Sequence, residues 1–226
     1  MLMWEPEVVS EPGVLSHVRI PTDGVVLEGD LTTVPHATGV VLFAHGSGSS
    51  RHSPRNRFVA GTLQQAGLST LLFDLLTADE AEERGNVFDV TLLADRLLAA
   101  VHWAFRDPRT ADVPLGLFGA STGAAAALVA AAREPGVRAV VSRGGRPDLA
   151  EGWLPFVHAH TLFIVGGRDA EVLRLNRLAL PELAGMRQLA QVPGASHLFE
   201  EAGALEWAAR LATSWFVRHL PEEPKP

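Results

Sequence analysis

The feature of this sequence that most restricts its fold is an alternation of short apolar runs with amphipathic segments. Nearly unbroken apolar runs of strand length include GVVLFAHG (39–46), STLLFDLL (69–76) and HTLFIVGG (160–167). Such runs predict strands that are buried on both faces of a sheet. Between them lie segments with apolar residues at helical spacing, as in Leu93, Leu97 and Val101. Strands that alternate with helices form a mostly parallel sheet covered on both faces.

The same pattern predicts about seven to eight strands. Two of them, HVRIP (17–21) and VVLEGDLTTV (25–34), are joined by a turn. Three more strands are predicted in 113–120, 137–145 and 187–192. Helices are predicted in 54–67, 90–107, 170–180 and 204–220, and another begins at about Thr122. The charged segment Ala78–Asn86 is predicted to be a solvated loop. We expect the 226 residues to form one domain with a polar tail at about 221–226.

The composition argues against several classes of function. The formal net charge is −7 and the pI is about 5.7, which disfavours non-specific binding to nucleic acid or anionic membranes. The chain has no cysteine, so disulfides, zinc–thiolate sites and a cysteine nucleophile are excluded. The first residues, MLMWEPEVVSEPG, lack the pattern of a signal peptide, and no apolar run approaches the roughly 18 residues of a membrane span. We therefore expect a soluble, cytoplasmic protein; the sequence carries no signal of an oligomeric state.

One serine lies where a predicted strand becomes a predicted helix. Parallel α/β sheets bind ligands at the carboxyl ends of their strands, so residues that follow the apolar runs are candidates for function. The segment Gly119-Ala120-Ser121-Thr122-Gly123 matches G-x-S-x-G in the strand–turn–helix context that this motif requires. The first turn of the following helix offers free N–H groups to developing negative charge. We predict that Ser121 is a nucleophile; the alternative is a tight turn of small residues.

A serine nucleophile needs a base and a group that orients the base. The predicted base is His197, which follows the last strand in VPGASHLFEE. The predicted acid is Asp169, which closes FIVGGRD after the preceding strand, and Asp148 is the alternative one strand earlier. The resulting order along the chain is Ser121, Asp169, His197, which differs from the order in chymotrypsin and in subtilisin.

The loop AHGSGSSRHS (44–53) follows a predicted buried strand and is the candidate for an oxyanion hole. Two fixed N–H donors are needed. One is predicted to be the amide of Thr122, directly after the nucleophile, and the other the amide of Ser47. His45 in the same loop is predicted to be structural and not catalytic.

These motifs, taken together, resemble those of a known superfamily. Four strands followed in turn by HGSG, GASTG, GGRD and GASH, in this order over nearly the whole chain, are similar to those of the α/β-hydrolases. HGSGSSRHSPRNR and SRGGRPDLA resemble bacterial members of the dienelactone-hydrolase-like branch. Dienelactone hydrolase itself has a cysteine nucleophile, whereas this chain has none. The resemblance implies the α/β-hydrolase fold with a minimal lid and a serine ester hydrolase, with no implication that dienelactone is the substrate.

Other residues are weaker candidates for substrate binding. Arg51 and Arg143 lie near strand ends and could hold an acidic substrate group, or could form ordinary salt bridges. Trp153 could line an acyl pocket or belong to the core. The pair His158 and His160 is spaced like metal ligands, but a structural role at the start of a strand is the preferred interpretation, so no metal is predicted.

The sequence therefore predicts a hydrolase of small, soluble carboxylic esters that acts through an acyl-enzyme and needs no cofactor. A thioesterase, lactonase, amidase or acyltransferase would use the same groups. From a different class, a catalytically idle hydrolase fold used for binding is the alternative. Loss of a catalytic residue would indicate such a protein, and none is visibly lost.

Overall fold

The computed structural model describes residues 13–221, which form an eight-stranded sheet in the order β1-β2-β4-β3-β5-β6-β7-β8. Strands β1 and β2 pair antiparallel, as do β2 and β4, and all other neighbours pair parallel. The predicted number of strands and the mostly parallel sheet are confirmed. The strands are β1 (Val14–Pro21), β2 (Val26–Thr33), β3 (Val40–Ala44), β4 (Ser69–Phe73), β5 (Leu115–Ala120), β6 (Val137–Arg143), β7 (His160–Gly166) and β8 (Arg187–Val192).

Helices cover both faces of the sheet, and all but the last of them lie between consecutive strands. They are α1 (Pro54–Gln65), α2 (Ala78–Glu82), α3 (Arg84–Phe88), α4 (Val90–Ala104), α5 (Thr122–Arg133), α6 (Ala170–Ala179) and α7 (Ala204–His219). A 3₁₀ segment, Pro147–Phe156, lies between β6 and β7. Among residues 13–221, no helix combines the length and the apolar character of a membrane span. The predicted polar tail lies outside the described residues beyond position 221.

The prediction of a loop at Ala78–Asn86 is wrong, because this segment contains α2 and most of α3. Helix α2 begins with a capping box: the Thr77 hydroxyl accepts a hydrogen bond from the Glu80 amide, and the Glu80 carboxylate accepts one from the Thr77 amide. The sequence signal is Thr77-Ala-Asp-Glu80, which has the spacing of that motif. The Glu80 carboxylate also pairs with Arg96 of α4 at 2.6 Å, which fixes α2 to the body of the protein.

The central strands explain the unbroken apolar runs in the sequence. All five residues of β3 are buried. Val40, Leu42 and Ala44 face the core layer that contains α4 and α5, whereas Val41 and Phe43 face the layer that contains α1 and α7. Because the side chains of a strand alternate between faces, a strand covered on both sides needs apolar residues throughout.

The register of the parallel strands brings their carboxyl ends to one edge of the sheet. Ala44 at the end of β3 pairs with Gly119 of β5, and Ala120 at the end of β5 pairs with Arg143 of β6. The loops that carry Ser47, Ser121 and Asp169 therefore leave the sheet from the same edge. This is the edge at which open α/β sheets bind ligands.

Candidate active site

Ser121 occupies the single residue between β5 and α5 in a backbone conformation that side chains rarely adopt. Its φ is 52° and its ψ is −121°. Such a conformation at a residue other than glycine costs about 1–3 kcal/mol and persists only where the surrounding structure imposes it. Although Ser121 is the N-cap of α5, its side chain forms no capping hydrogen bond. The strained turn thus leaves the hydroxyl available for chemistry.

The two glycines of the motif are required by close backbone approach. A Cβ at Gly119 would lie 2.4 Å from Cα of Ala124, and a Cβ at Gly123 would lie 2.3 Å from the carbonyl oxygen of Ala44. Real Cβ atoms do not tolerate such distances to backbone atoms. The first turn of α5 therefore packs directly on β5 and β3 only because both positions lack a side chain.

His197, in the loop after β8, lies beside Asp169, which precedes α6. The distance from Nδ1 of His197 to Oδ2 of Asp169 is 2.6 Å. A hydrogen bond donated by Nδ1–H leaves the lone pair on Nε2, the tautomer that a general base needs. The alternative acid, Asp148, pairs with Arg146 at 2.6 Å. The structure brings Asp169 and not Asp148 to the imidazole.

Ser121 and His197 line one cavity of about 250 Å³, which we call the polar cavity. The side chains of Ser121 and His197 do not hydrogen-bond to each other in this structure. In enzymes without substrate, the hydrogen bond between a nucleophile and its base is often long and shortens only when substrate binds. The walls are mostly polar and come from the β3–α1 loop, the start of α1, and the ends of β5, β6 and β8. The lining residues are Gly46, Ser47, Ser49, Ser53, Arg55, Asn56, Ala120, Ser121, Arg143, His197 and Leu198.

The two predicted oxyanion donors lie next to each other, with a contact that the sequence does not predict. The amide of Ser47 donates a hydrogen bond to the hydroxyl of Thr122 at 2.9 Å. The amide of Thr122 is at the first position of α5 and so lacks an intrahelical partner. The Ser47 amide therefore already has an acceptor, the Thr122 hydroxyl. An oxyanion that binds to both amides must either share the Ser47 N–H with that hydroxyl or take its place.

His45 braces this loop instead of acting as a base. Its Nδ1 lies 3.0 Å from the carbonyl oxygen of Gly46, and its Nε2 accepts a hydrogen bond from the amide of Leu75 at 3.1 Å. Burial lowers the pKa of His45 below 6.5, although the Gly46 carbonyl and the charge of Asp74 oppose the shift. The ring is thus neutral at neutral pH with both nitrogens occupied.

A second cavity of about 430 Å³, which we call the apolar cavity, shares the loop residues Gly46, Ser47 and Ser49 with the polar cavity. Its apolar wall comes from the segment after β4, from α2 and α3, and from α4. The apolar residues that line it are Leu75, Leu76, Ala78, Ala81, Val87 and Leu93. Ser47 and Thr122 line it as well, so it adjoins the proposed oxyanion donors.

Of the three predicted substrate-binding residues, the structure brings only Arg143 to the site. The guanidinium of Arg51 is held by Asp74, and the Arg51 amide also bonds to that carboxylate at 2.7 Å. Trp153 lies with its ring 6.0 Å from the guanidinium of Arg133, the last residue of α5, and it lines neither cavity. The 3₁₀ segment that carries Trp153 packs along α5, and α5 runs away from the edge where Ser121 lies.

The histidine pair is not part of a metal site in the described structure. The ring of His160 packs against that of His219 at 4.8 Å between centroids. Within residues 13–221, no group of three or more histidine or carboxylate side chains is arranged to hold a metal ion.

The chain is similar to both curated proteins and solved structures. No family model matches the chain. Two curated proteins from two strains of Mycobacterium tuberculosis, both named "Putative phosphoribosyl transferase", are 58% identical to it over 205 residues. That match covers 90% of this chain and 46% of each relative, so the chain spans about half the length of the curated relatives it matches.

Solved structures extend the comparison. The crystal structure of a dienelactone hydrolase from Anabaena variabilis has 53% identity and a TM-score of 0.90, and the match covers 93% of this chain and 100% of that one. Est1E from Butyrivibrio proteoclasticus, also solved with ferulic acid bound, has 16% identity and a TM-score of 0.77 over 89% of this chain and 98% of its own, a likeness of fold alone. From the sheet order, the strained serine turn and the 53% identical relative from Anabaena variabilis, the chain belongs to the α/β-hydrolase superfamily, in its dienelactone-hydrolase-like branch.

Proposed function

We propose that this chain hydrolyses carboxylic esters of small molecules through an acyl-enzyme formed on Ser121. The observation that carries the proposal is one cavity lined by a serine in a strained turn and by a histidine whose Nδ1 is 2.6 Å from a carboxylate. Strain of this kind recurs at functional sites, and a histidine oriented by a carboxylate is the usual activator of a serine hydroxyl. Membership of the dienelactone-hydrolase-like branch supports hydrolysis as the reaction class.

In the proposed mechanism, Nε2 of His197 takes the proton from the Ser121 hydroxyl as Oγ attacks the ester carbonyl. Asp169 accepts the hydrogen bond from Nδ1–H, keeps the proton on Nδ1 and stabilises the imidazolium. The oxyanion of the tetrahedral intermediate accepts hydrogen bonds from the amides of Thr122 and Ser47. When the intermediate collapses, the leaving alcohol takes the proton from Nε2. Water, deprotonated by His197, then attacks the acyl group, and Ser121 recovers its proton.

The phosphoribosyl transfer in the name of the curated relatives is not part of this proposal. Those proteins are about twice as long as the matching region, since the match covers 46% of each of them. The polar cavity is lined by a serine and by a histidine that is paired with a carboxylate, an arrangement that suits attack on an acyl carbon. We therefore propose no phosphoribosyl transfer for this chain.

The test is hydrolysis of p-nitrophenyl esters with labelling by a fluorophosphonate probe, which reacts with activated serines only. Ser121→Ala should abolish labelling and lower turnover by about 10⁴- to 10⁶-fold. Ser214→Ala, on an exposed position of α7, is the matched control and should leave both unchanged. Labelling of Ser121→Ala, or residual turnover above a few per cent, would show that another residue attacks. An unlabelled wild-type protein would indicate an idle fold used for binding.

A further inference from the structure

Arg143 is a buried cation with no carboxylate partner in the described structure. It is only 7% exposed at the end of β6, and its guanidinium lies 5.9 Å from the ring of Phe118 and 5.8 Å from that of Phe199. The guanidinium donates one hydrogen bond, from Nη2 to the side-chain oxygen of Asn56 at 3.3 Å. Among residues 13–221, its Nε and Nη1 have no hydrogen-bond partner.

An uncompensated buried charge is unfavourable, so its retention calls for an explanation. Burial, together with the neighbouring positive charge of Arg55, lowers the pKa of Arg143 to about 10. The guanidinium therefore remains protonated at neutral pH. An anion that enters the cavity would supply the missing compensation, and guanidinium groups suit carboxylates and phosphates.

The polar cavity has the charge that such an anion needs. Arg143 and Arg55 both line it, whereas none of its lining residues is acidic. Arg55 pairs with Glu200 at a distance of 3.5 Å, and the Glu200 side chain is 64% exposed, so this contact lies at the solvent side. Surface pairs of this kind are weak and leave Arg55 free to face a ligand.

The position of His197 determines which half of the substrate meets this charge. His197 lines the polar cavity but not the apolar cavity, whereas Ser47 lines both. Since the leaving alcohol takes its proton from His197, it must lie on the side of the imidazole. Ser47 and Thr122 line the apolar cavity, so an acyl group that passes their amides would enter that cavity.

We infer that the preferred substrates are esters of an apolar acid with an alcohol that bears a carboxylate or a phosphate, the anion being held by Arg143 and Arg55. This inference rests on the proposed function. The acyl chain lies between α2, α3 and α4, and the charged leaving group lies beside α1 and the end of β6. Each methylene that enters the apolar cavity should raise kcat/KM by up to about 4-fold until the cavity is filled.

Arg143 has an alternative role that the experiment must separate from substrate binding. It packs on Phe199, which lies two residues beyond His197 and has a φ of 57°. A purely structural arginine would hold the His197 loop in place, and its loss would slow charged and neutral substrates equally. A substrate-binding arginine changes the ratio between them.

The experiment compares kcat/KM for three esters of similar size. O-Hexanoylglycolate carries its charge on the leaving group, O-hexanoylglycolamide is its neutral counterpart, and hexyl hydrogen succinate carries the charge on the acyl side. We expect the glycolate ester to exceed the glycolamide ester by about 10- to 100-fold, the equivalent of one charge-assisted hydrogen bond, and to exceed the succinate ester as well. The hexanoyl ester of 2-hydroxyethyl phosphate shows which of the two anions is preferred.

Arg143→Met should bring the glycolate-to-glycolamide ratio towards one. Arg146→Gln is the matched control, because its guanidinium pairs with Asp148 outside the cavity, and it should leave the ratio unchanged. If Arg143→Met does not fold, Arg55→Gln must lower the ratio. Equal kcat/KM for the first two esters in the wild type, or a preference for the succinate ester, would overturn the inference while leaving the ester hydrolase intact. Failure to hydrolyse any ester would instead overturn the proposed function.

Discussion

Replacement of Ser121 by glycine should stabilise the fold relative to replacement by alanine. Both variants lack the hydroxyl, so both should be inactive, and they differ only in the Cβ atom. At φ 52° and ψ −121°, an alanine keeps the strain that the serine has, whereas glycine adopts this region readily. This backbone strain destabilises the folded state by about 1–3 kcal/mol.

The expected difference is smaller than the strain, because glycine has more conformational entropy to lose on folding. That loss amounts to about 0.5–1 kcal/mol relative to alanine. With strain relief of about 2 kcal/mol, the net gain in the free energy of unfolding is about 1 kcal/mol. For a protein of this size, 1 kcal/mol corresponds to a rise in Tm of about 2–4 °C.

Urea unfolding and calorimetry of the two inactive variants measure this difference directly. The matched control is Ser214 in α7, an exposed helical position, where glycine should instead be less stable than alanine by about 1 kcal/mol. If Ser121→Gly is no more stable than Ser121→Ala, the backbone at this turn is not strained, and the structural argument for a functional serine is lost.

Three further predictions concern the surrounding residues. Asp169→Asn should lower turnover by roughly 10⁴-fold in steady-state kinetics through the wrong imidazole tautomer, whereas Asp148→Asn should retain most of it; the reverse ranking would reassign the acid. Gly123→Ala should destabilise the protein by about 3 kcal/mol or more in urea unfolding, because its Cβ would lie 2.3 Å from the Ala44 carbonyl oxygen. Burial lowers the pKa of His45, so the folded state binds fewer protons than the unfolded state just below pH 6.5. The wild type should therefore lose stability between pH 7.5 and 5 more steeply than His45→Gln, and equal slopes would refute this.

Much of the architecture could be predicted from the sequence, because its causes are local. The unbroken apolar runs of β3, β4 and β7 indicate strands buried on both faces, and the amphipathic spacing in α4 indicates a helix with one buried side. The glycines on either side of Ser121 indicate a turn with no room for side chains. The missed helix α2 also had a local signal, since Thr77 and Glu80 have the spacing of a capping box.

The identity of the substrate-facing residues depended instead on distances between segments far apart in the chain. Arg51 and Arg143 both follow apolar runs, but the register of β5 and β6 places Arg143 beside Ser121, whereas Asp74 at the end of β4 holds Arg51. The sequence left Trp153 open as a pocket or a core residue, and its segment packs along α5 away from the strand ends. The apolar cavity forms only where α2 and α3 pack above α4. Periodicity and spacing describe a residue's own element, and only tertiary packing decides which other elements that residue meets.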